Sequence, residues 1–257
     1  MSTAHDDARS DSHRDLATLE AEATRLGVTL DETARDRFAR YLTLMEVWRD
    51  RAGLTSLTDP AAVQRRLFGE SLALLVALRS GGVLAAGEPS TVVDVGAGAG
   101  FPGVPMRIVD PSLRLTLVES HGRRARFLET VVEELELEGV EVVTARAEEA
   151  GRDPAFRERF DLAVARALAP LPVLVEYLLP LLRPGGVMAG PKGSGAEREL
   201  GEAAAAIGAL GGCAEESVLL SLPEGAARQR VIVVRRCGEL PERFPRRPGI
   251  PAKRPLR

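Results

Sequence analysis

Residues 92–103 decide the fold of this chain, and they read Val-Val-Asp-Val-Gly-Ala-Gly-Ala-Gly-Phe-Pro-Gly. An apolar run of strand type ends at Asp94, glycines then occupy every second position from Gly96 to Gly100, and Pro102 can open a helix. A strand that turns into a helix through glycines brings bare backbone against a ligand, beside the N-terminus of the helix. The stretch therefore predicts a cofactor site at this turn.

Asp94 indicates which cofactor the turn is built for. Gly98, Gly100 and Gly103 also spell G-x-G-x-x-G, which alone is a weak signal for a dinucleotide. A carboxylate two residues before the first glycine would repel a pyrophosphate, whereas it would attract a ligand with a positive sulfonium and an ammonium group. S-adenosylmethionine is such a ligand. We therefore predict that Asp94, Gly96 and Gly98 belong to an S-adenosylmethionine site.

The composition sets wide bounds. A chain of 257 residues that is 45% hydrophobic can bury one large domain, with or without a helical extension. The two cysteines, Cys213 and Cys237, form no metal-spaced pair and suggest no disulfide framework, so we expect neither a metal site nor an oxidising compartment. No apolar run is long enough to span a bilayer, and the polar N-terminus is not a secretory signal. We expect a cytoplasmic protein without a membrane partner.

Charge is distributed unevenly along the chain. The net charge is −3, yet residues 235–257 carry eight basic and two acidic residues, a local excess of six positive charges. This tail predicts either a surface that faces phosphates or a solvated, partly disordered terminus. Its five prolines favour a stiff, extended course over a helix.

The chain divides into four predicted regions. Residues 1–14 are polar and expected to be disordered, residues 15–80 form a helical extension, 81–237 the cofactor-binding domain and 238–257 the basic, proline-rich tail. Within the extension, Phe38, Tyr41 and Trp48 recur at helical spacing, and such a stripe indicates core packing rather than base stacking.

From residue 91 onward, strands and helices alternate. Strands are predicted at 91–95, 113–118, 140–144, 160–165 and 186–190, with helices near 102–109, 121–137, 170–182 and 195–209. Two last apolar runs, 216–220 and 230–235, are joined by a short loop, which predicts an antiparallel pair at the sheet edge. The fold class is α/β: a doubly wound, mostly parallel seven-stranded sheet, Rossmann-like, as in class I methyltransferases. Ligands bind such sheets at the carboxyl ends of the strands.

Polar residues stand at several of these strand ends. Glu119 ends the second strand and can accept the hydroxyls of a ribose, in either type of adenosine cofactor. Ala147 and Glu148 follow the third strand where an adenine would lie, although Glu148 also fits an ordinary acidic first turn of a helix. Arg166 follows the fourth strand, and its guanidinium could hold a phosphate or the methionine carboxylate.

Lys192 is an unusual cation in this chain. Only Lys192 and Lys253 among the 34 basic residues are lysines, and Lys192 lies in Gly-Pro-Lys-Gly after the fifth strand. A retained lysine there suggests a position where a guanidinium would not fit.

These segments together resemble one family. The chain is similar to the glucose-inhibited division protein B family of bacterial methyltransferases, which modify N7 of one guanine in the decoding-region loop of small-subunit (16S) ribosomal RNA. The resemblance covers nearly the whole chain, and the segments that carry it are 94–103, 122–128, 165–167, 191–193 and 245–249.

The resemblance implies roles for particular residues. Gly96, Phe101, Ala147, Glu148 and Arg166 are expected to contact S-adenosylmethionine. Lys192 and the basic tail, with Arg246 and Arg247, are expected to bind RNA. The implied partner is small-subunit ribosomal RNA or the 30S particle, with the enzyme acting as a monomer.

Some positions depart from the family pattern. Where the family has Asn before Leu-Thr, this chain has Gly53, and Leu67 stands where a His precedes Asp-Ser-Leu, here Glu70-Ser71-Leu72. Ala165 replaces the serine before the arginine. We therefore assign no catalytic residue to the helical extension.

The chemistry needs no general acid or base, because guanine N7 carries no proton at neutral pH. Asp94 and Glu119 are predicted to fix the cofactor, and Arg166 and Lys192 to position the RNA. Two alternatives remain from the sequence: a dinucleotide-dependent oxidoreductase, and a non-catalytic protein that binds S-adenosylmethionine or RNA.

Overall fold

The computed structural model describes residues 15–223 and 226–256. The disorder predicted for residues 1–14 concerns residues outside this range. Among the described residues, five helical segments precede the sheet: α1 (Ala17–Leu26), α2 (Glu32–Ala52), α3 (Pro60–Val63), a π-helical turn (Gln64–Gly69) and α4 (Glu70–Ser80).

Local sequence explains where these helices begin and end. The Asp31 carboxylate accepts the Ala34 N–H at the start of α2, and Gly53 ends that helix in the left-handed conformation. Asp59 caps α3 in the same way, accepting from Ala61 and Ala62. From Pro60 to Ser80 the chain is continuously helical, and the π-helical turn widens it in the middle.

Strands and helices alternate after residue 90, as predicted. The strands are β1 (Ser90–Val95), β2 (Leu113–Glu119), β3 (Val140–Thr144), β4 (Phe160–Val164), β5 (Leu182–Lys192), β6 (Gly212–Ala214), β7 (Val218–Leu219) and β8 (Arg230–Arg236). The helices between them are α5 (Gly103–Val109), α6 (Gly122–Glu134), α7 (Ala147–Ala150), α8 (Leu171–Leu178), α9 (Ala196–Glu202) and α10 (Ala204–Ala209). The helix predicted near 170–182 ends at Leu178, and a 3₁₀ turn (Leu179–Leu181) leads into β5.

The sheet order is β3-β2-β1-β4-β5-β8-β6, with β7 also paired to β8. β1 to β5 are parallel, and β8 runs antiparallel to β5, β6 and β7. The α/β doubly wound prediction is confirmed, and the strand number needs one correction. β6 and β7 form an interrupted edge strand, so seven positions hold eight strands. The chain reverses its winding between β1 and β4, which is the switch point where ligands bind.

Two hydrophobic cores lie on the two faces of the sheet. One contains α1, α2 and α4 together with α5, α6 and sheet residues such as Val92 and Leu115. The other contains α8, α9 and α10 with Val93 and Ile232. The helical extension therefore shares a core with one face of the sheet and packs against it. Phe38 and Tyr41 are fully buried there, as core packing predicts.

The basic tail differs from its prediction. It is not an extended arm: Leu240 and Phe244 are buried against the second core, and residues Ile250–Lys253 form a short helix, α11. Prolines permit this helix because Pro251 lies in its first turn, where a missing N–H costs nothing.

The cysteines also differ from their prediction. Cys213 of β6 and Cys237, just after β8, form a disulfide, with their Cα atoms 6.0 Å apart. Antiparallel pairing of β6 with β8 brings the two residues together, which their spacing in the sequence did not reveal.

No helix among the described residues is long and apolar enough to cross a bilayer. Across residues 15–223 and 226–256, no group of three or more His, Cys, Asp or Glu side chains has a metal-binding arrangement.

Candidate cofactor site at the switch point

The glycine turn between β1 and α5 forms the floor of the site. Gly96, Gly98 and Gly100 all have positive φ, at 69°, 59° and 91°. At Gly100 a Cβ atom would lie 2.6 Å from the Tyr41 hydroxyl and 2.8 Å from Val104, so only glycine fits beneath α2. The Tyr41 hydroxyl donates a hydrogen bond to the Ala99 carbonyl. The helical extension thus holds the turn in place.

Asp94 lies beneath the turn rather than at its surface. Its side chain is fully buried, and Oδ2 accepts the Gly103 N–H at 2.8 Å. Oδ1 is buried without a hydrogen-bond partner among the described residues. Burial raises the pKa of Asp94 to about 7; the Gly103 N–H and Arg166 oppose the rise, and Glu119 adds to it. Asp94 does not line the cavity above it, so the predicted direct contact with a cofactor becomes an indirect, electrostatic one.

Glu119 links the end of β2 to the turn. One carboxylate oxygen accepts the Gly98 N–H at 2.9 Å, and the other accepts the His121 N–H at 2.8 Å. The side chain is buried, yet it borders the cavity, and each oxygen keeps a lone pair for a further donor. This is the arrangement that a ribose diol requires.

Carboxylates therefore already occupy the backbone N–H groups that a pyrophosphate would use. Asp94 takes the Gly103 N–H at the start of α5, and Glu119 takes the Gly98 N–H in the turn. In a dinucleotide site those groups face the phosphates and bind them. With these N–H groups already bonded, the turn has fewer donors for a phosphate, and a positive charge on the ligand would favour the ionised form of Asp94.

A cavity of about 470 Å³ opens above the turn. Five predicted cofactor residues line it: Gly96, Gly98, Phe101, Glu119 and Arg166. Arg124 and His121 of the α6 N-terminus and Leu67 of the π-helical turn complete its walls. The structure thus brings these five predicted residues together around one cavity.

A smaller cavity of about 110 Å³ continues the groove past the ends of β2 and β3. Ala147 and Glu148 line it, as expected for residues around an adenine. Glu148 also has a structural role, because its Oε1 accepts the Gly249 N–H of the tail at 2.7 Å. Leu168 borders both cavities and separates them; its Cδ1 lies 2.5 Å from where a Cβ of Gly96 would be.

Arg166 joins the cofactor cavity to a neighbouring one. Its guanidinium lies over the Phe101 ring, 5.2 Å from the centroid, and donates to the Arg66 carbonyl at 3.0 Å. Nη1 is 3.8 Å from the Glu70 carboxylate. Burial lowers the pKa of Arg166, while Glu70 and Asp94 counteract that shift, so the group remains a fixed cation.

Lys192 lies in the neighbouring cavity, which has a volume of about 490 Å³. Its ammonium group donates to the Ala169 carbonyl at 2.8 Å and pairs with Glu199 at 2.9 Å. The compact ammonium is thus held between a carbonyl and a carboxylate. The RNA contact expected of Lys192 remains a prediction, and its charge is locally balanced.

The two tail arginines have different surroundings in the structure. Arg246 pairs with Glu176 of α8 at 2.6 Å, and this carboxylate has no exposed surface. The guanidinium anchors the tail, and the RNA contact expected of Arg246 stays a prediction. Arg247 is exposed and stays a candidate for RNA.

Sequence reasoning missed two residues that shape the site. Tyr41 was interpreted only as core packing, and nothing in its helical spacing indicates a bond to the Ala99 carbonyl. Leu168 has a weak signal, since it lies two residues after Arg166 at a strand end. Its position against Gly96 follows from the backbone at Ala167, which has a φ of 53°.

Comparison with known proteins shows the family to which this chain belongs. Residues 34–229 match the family described as rRNA small subunit methyltransferase G. The ribosomal RNA small subunit methyltransferase G of Roseiflexus castenholzii is 44% identical over 91% of this chain and 97% of its own length. That of Symbiobacterium thermophilum is 42% identical over 93% of this chain and 96% of its own.

A solved structure shares the fold at much lower identity. MtNAS in complex with MTA and tNA superposes with a TM-score of 0.53 at 16% identity, over 80% of this chain and 75% of that one. This likeness concerns the fold only, whereas the sequence relatives match across almost their entire lengths. The chain therefore belongs to the rRNA small subunit methyltransferase G family.

Proposed function

We propose that this chain is an S-adenosylmethionine-dependent methyltransferase that modifies N7 of a guanine in small-subunit ribosomal RNA. The observation that carries the proposal is the glycine turn, whose Gly98 and Gly103 N–H groups are taken by the carboxylates of Glu119 and Asp94. Membership of the family and the coverage of its relatives support the choice of substrate.

The two cavities of the groove would hold different parts of the cofactor. Glu119 would bind the ribose hydroxyls, and Ala147 and Glu148 would lie beside the adenine in the smaller cavity. Gly96, Phe101 and Arg166 would then surround the methionine portion, with the Arg166 guanidinium available for its carboxylate. When bound, S-adenosylmethionine supplies an electrophilic methyl group.

The residues of the chain contribute position and electrostatics rather than proton transfer. Guanine N7 is an unprotonated lone pair, so no base is needed to activate it. Holding the reacting atoms at roughly 3 Å in line removes most of the entropic part of the barrier. Phe101 and Leu67 exclude water from one wall, and Arg166 keeps a fixed charge at the junction of the two larger cavities.

RNA binding would involve Lys192, which lines the neighbouring cavity, and the exposed Arg247 of the tail. The neighbouring cavity opens beside the cofactor cavity and shares Arg166 with it, so a base entering there reaches the methyl group. Nucleic-acid enzymes that act on a base commonly take it out of its stack into such a pocket.

The direct test is methyl transfer from isotopically labelled S-adenosylmethionine to small-subunit RNA, with and without ribosomal proteins. We expect labelled 7-methylguanosine after digestion to nucleosides, from at least one of the two substrates. Absence of label from both substrates, or label in a different nucleoside, would refute the proposal. The comparison also tells whether naked RNA or the assembled particle is recognised.

A further inference from the structure

We infer that Glu70 recognises the target base, by accepting hydrogen bonds from the N1–H and 2-amino groups of guanine in the cavity beside the cofactor site. This inference rests on the proposed function and adds to it the residue that selects guanine. It starts from the second large cavity, of about 490 Å³, to which Glu70, Arg166 and Lys192 contribute.

The two large cavities meet along a shared wall. Thr55, Leu67, Arg166 and Ala167 line both of them. A flat base placed in the second cavity can thus adjoin the cofactor cavity while it contacts Glu70, which lines the second cavity and not the first. Guanine carries N7 and O6 on one edge, and its donors, N1–H and the 2-amino group, on another.

Glu70 is the carboxylate that lines the second cavity. It begins α4, directly after the π-helical turn, and its side chain is 19% exposed. Its nearest charged partner is Arg166 Nη1 at 3.8 Å, which is beyond hydrogen-bond distance. Within residues 15–223 and 226–256 no hydrogen-bond donor reaches this carboxylate. Its acceptor capacity remains available in a cavity wall.

Glu70 directly follows the π-helical turn, whose residues Arg66 and Leu67 line the same cavity. The turn widens the helix over Gln64–Gly69, and the Arg66 carbonyl accepts from Arg166 instead of serving the helix alone. The same bond fixes the helix against the end of β4. π-helical turns of this kind are found mostly at functional sites.

Charge distinguishes a base from a phosphate at this position. Arg66, Arg166 and Lys192 also line this cavity, and Lys192 is paired with Glu199 at 2.9 Å. A phosphate that approached the Glu70 carboxylate itself would be repelled by its negative charge, whereas a guanine would bring two donors to it. A paired acceptor of this kind rejects adenine, which has no N1–H and no 2-amino group.

The test compares guanine with inosine at the methylated position of the RNA, because inosine keeps N7, O6 and N1–H and lacks the 2-amino group. Turnover and RNA affinity are measured for the wild-type chain, Glu70→Gln, Glu70→Asp and the control Glu129→Gln, an exposed residue of α6. S-adenosylmethionine affinity and thermal melting are recorded for each protein.

For the wild-type chain and Glu129→Gln we expect guanine to be favoured over inosine by about 10- to 100-fold, the range of a charge-assisted hydrogen bond. In Glu70→Gln the preference falls to within about threefold, and in Glu70→Asp part of it returns. Affinity for S-adenosylmethionine stays within about twofold in all variants, because Glu70 does not line the cofactor cavity.

Two results would overturn the inference. An equal preference for guanine in the wild-type chain and Glu70→Gln would show that another group reads the base. Loss of S-adenosylmethionine binding in Glu70→Gln would place Glu70 in the support of the cofactor. A wild-type chain that methylates neither RNA refutes the proposed function itself, and this outcome is distinct from the other two.

Discussion

Asp94 shows how a single buried side chain sets the character of the site. The sequence placed it at the ligand, and the structure places it under the glycine turn, bonded to the Gly103 N–H. Its charge therefore acts through the turn. Because burial raises its pKa to about 7, the folded chain holds a proton there over a pH range in which the unfolded chain has lost it.

This shift predicts an unusual pH dependence of stability. With a folded pKa near 7 and an unfolded pKa near 3.8, the folded state binds more protons between these values. The contribution of Asp94 to stability is present below the unfolded pKa and is lost as the pH rises to 7, by at most about 1.4 kcal/mol per pH unit. Denaturant unfolding of wild type and Asp94→Asn from pH 4 to 8 should give curves that differ by this slope. Parallel curves would contradict it.

Glu119 carries the second prediction at this scale. Glu119→Gln keeps the size of the side chain but turns one acceptor into a donor, which then faces the Gly98 or the His121 N–H. We expect S-adenosylmethionine binding to weaken about tenfold or more, since a charge-assisted hydrogen bond is lost and a donor is left unpaired. Calorimetric titration measures this, with the exposed Glu133→Gln of α6 as the control. Equal affinities of the two variants would refute the role of Glu119.

Among the elements, α2 of the helical extension packs on the glycine turn and supports it. Helical spacing in α2 predicts that Tyr41 is buried, and the structure confirms it. The spacing cannot tell that α2 crosses the turn, because that contact joins residues 58 positions apart. The sequence thus predicts the burial of the Tyr41 ring, but it does not predict the hydrogen bond of the hydroxyl.

Removal of the Tyr41 hydroxyl should weaken the support of the glycine turn while the ring still fills its place in the core. In Tyr41→Phe the Ala99 carbonyl loses its donor, and we expect a loss of about 1 kcal/mol in stability. S-adenosylmethionine affinity should fall several-fold because the turn is less well held. Unfolding and titration on the same sample measure both effects. Unchanged cofactor affinity would mean that α2 does not support the turn.

The tail is a second element whose contacts the sequence could not supply. Its charge suggested an RNA-facing arm, yet Arg246 pairs with the buried Glu176 and Gly249 donates to Glu148. A pattern of prolines and arginines does not reveal a partner 70 residues earlier in the chain. The fold of residues 238–256 therefore had to come from the structure.

Substitutions of neighbouring arginines should separate anchoring from RNA binding. Arg246→Ala leaves the buried carboxylate of Glu176 without its charged partner. We expect the free energy of unfolding to fall by about 3 kcal/mol. Arg247→Ala removes an exposed charge, so stability should change little, while RNA affinity falls and its salt dependence becomes shallower. Denaturation and RNA titration at several salt concentrations test the pair. Equal destabilisation by both variants would contradict the assignment.

For the whole molecule, strand alternation and the glycine turn were sufficient to predict the parallel sheet, its switch point and the residues at its strand ends. The interrupted edge of β6 and β7 was not predicted as such, because segments of three and two residues carry almost no periodic signal. The disulfide of Cys213 and Cys237 cannot be predicted either, because the short strand β6, which brings the two residues together, has too weak a periodic signal.

The central claim is that carboxylates under the glycine turn select a sulfonium cofactor and reject a dinucleotide. Equilibrium dialysis of the full chain against labelled S-adenosylmethionine, with and without excess nicotinamide dinucleotide, tests it most directly. We predict one S-adenosylmethionine bound per chain and no displacement by the dinucleotide. Binding of the dinucleotide in its place, or no binding of S-adenosylmethionine at all, would contradict the account.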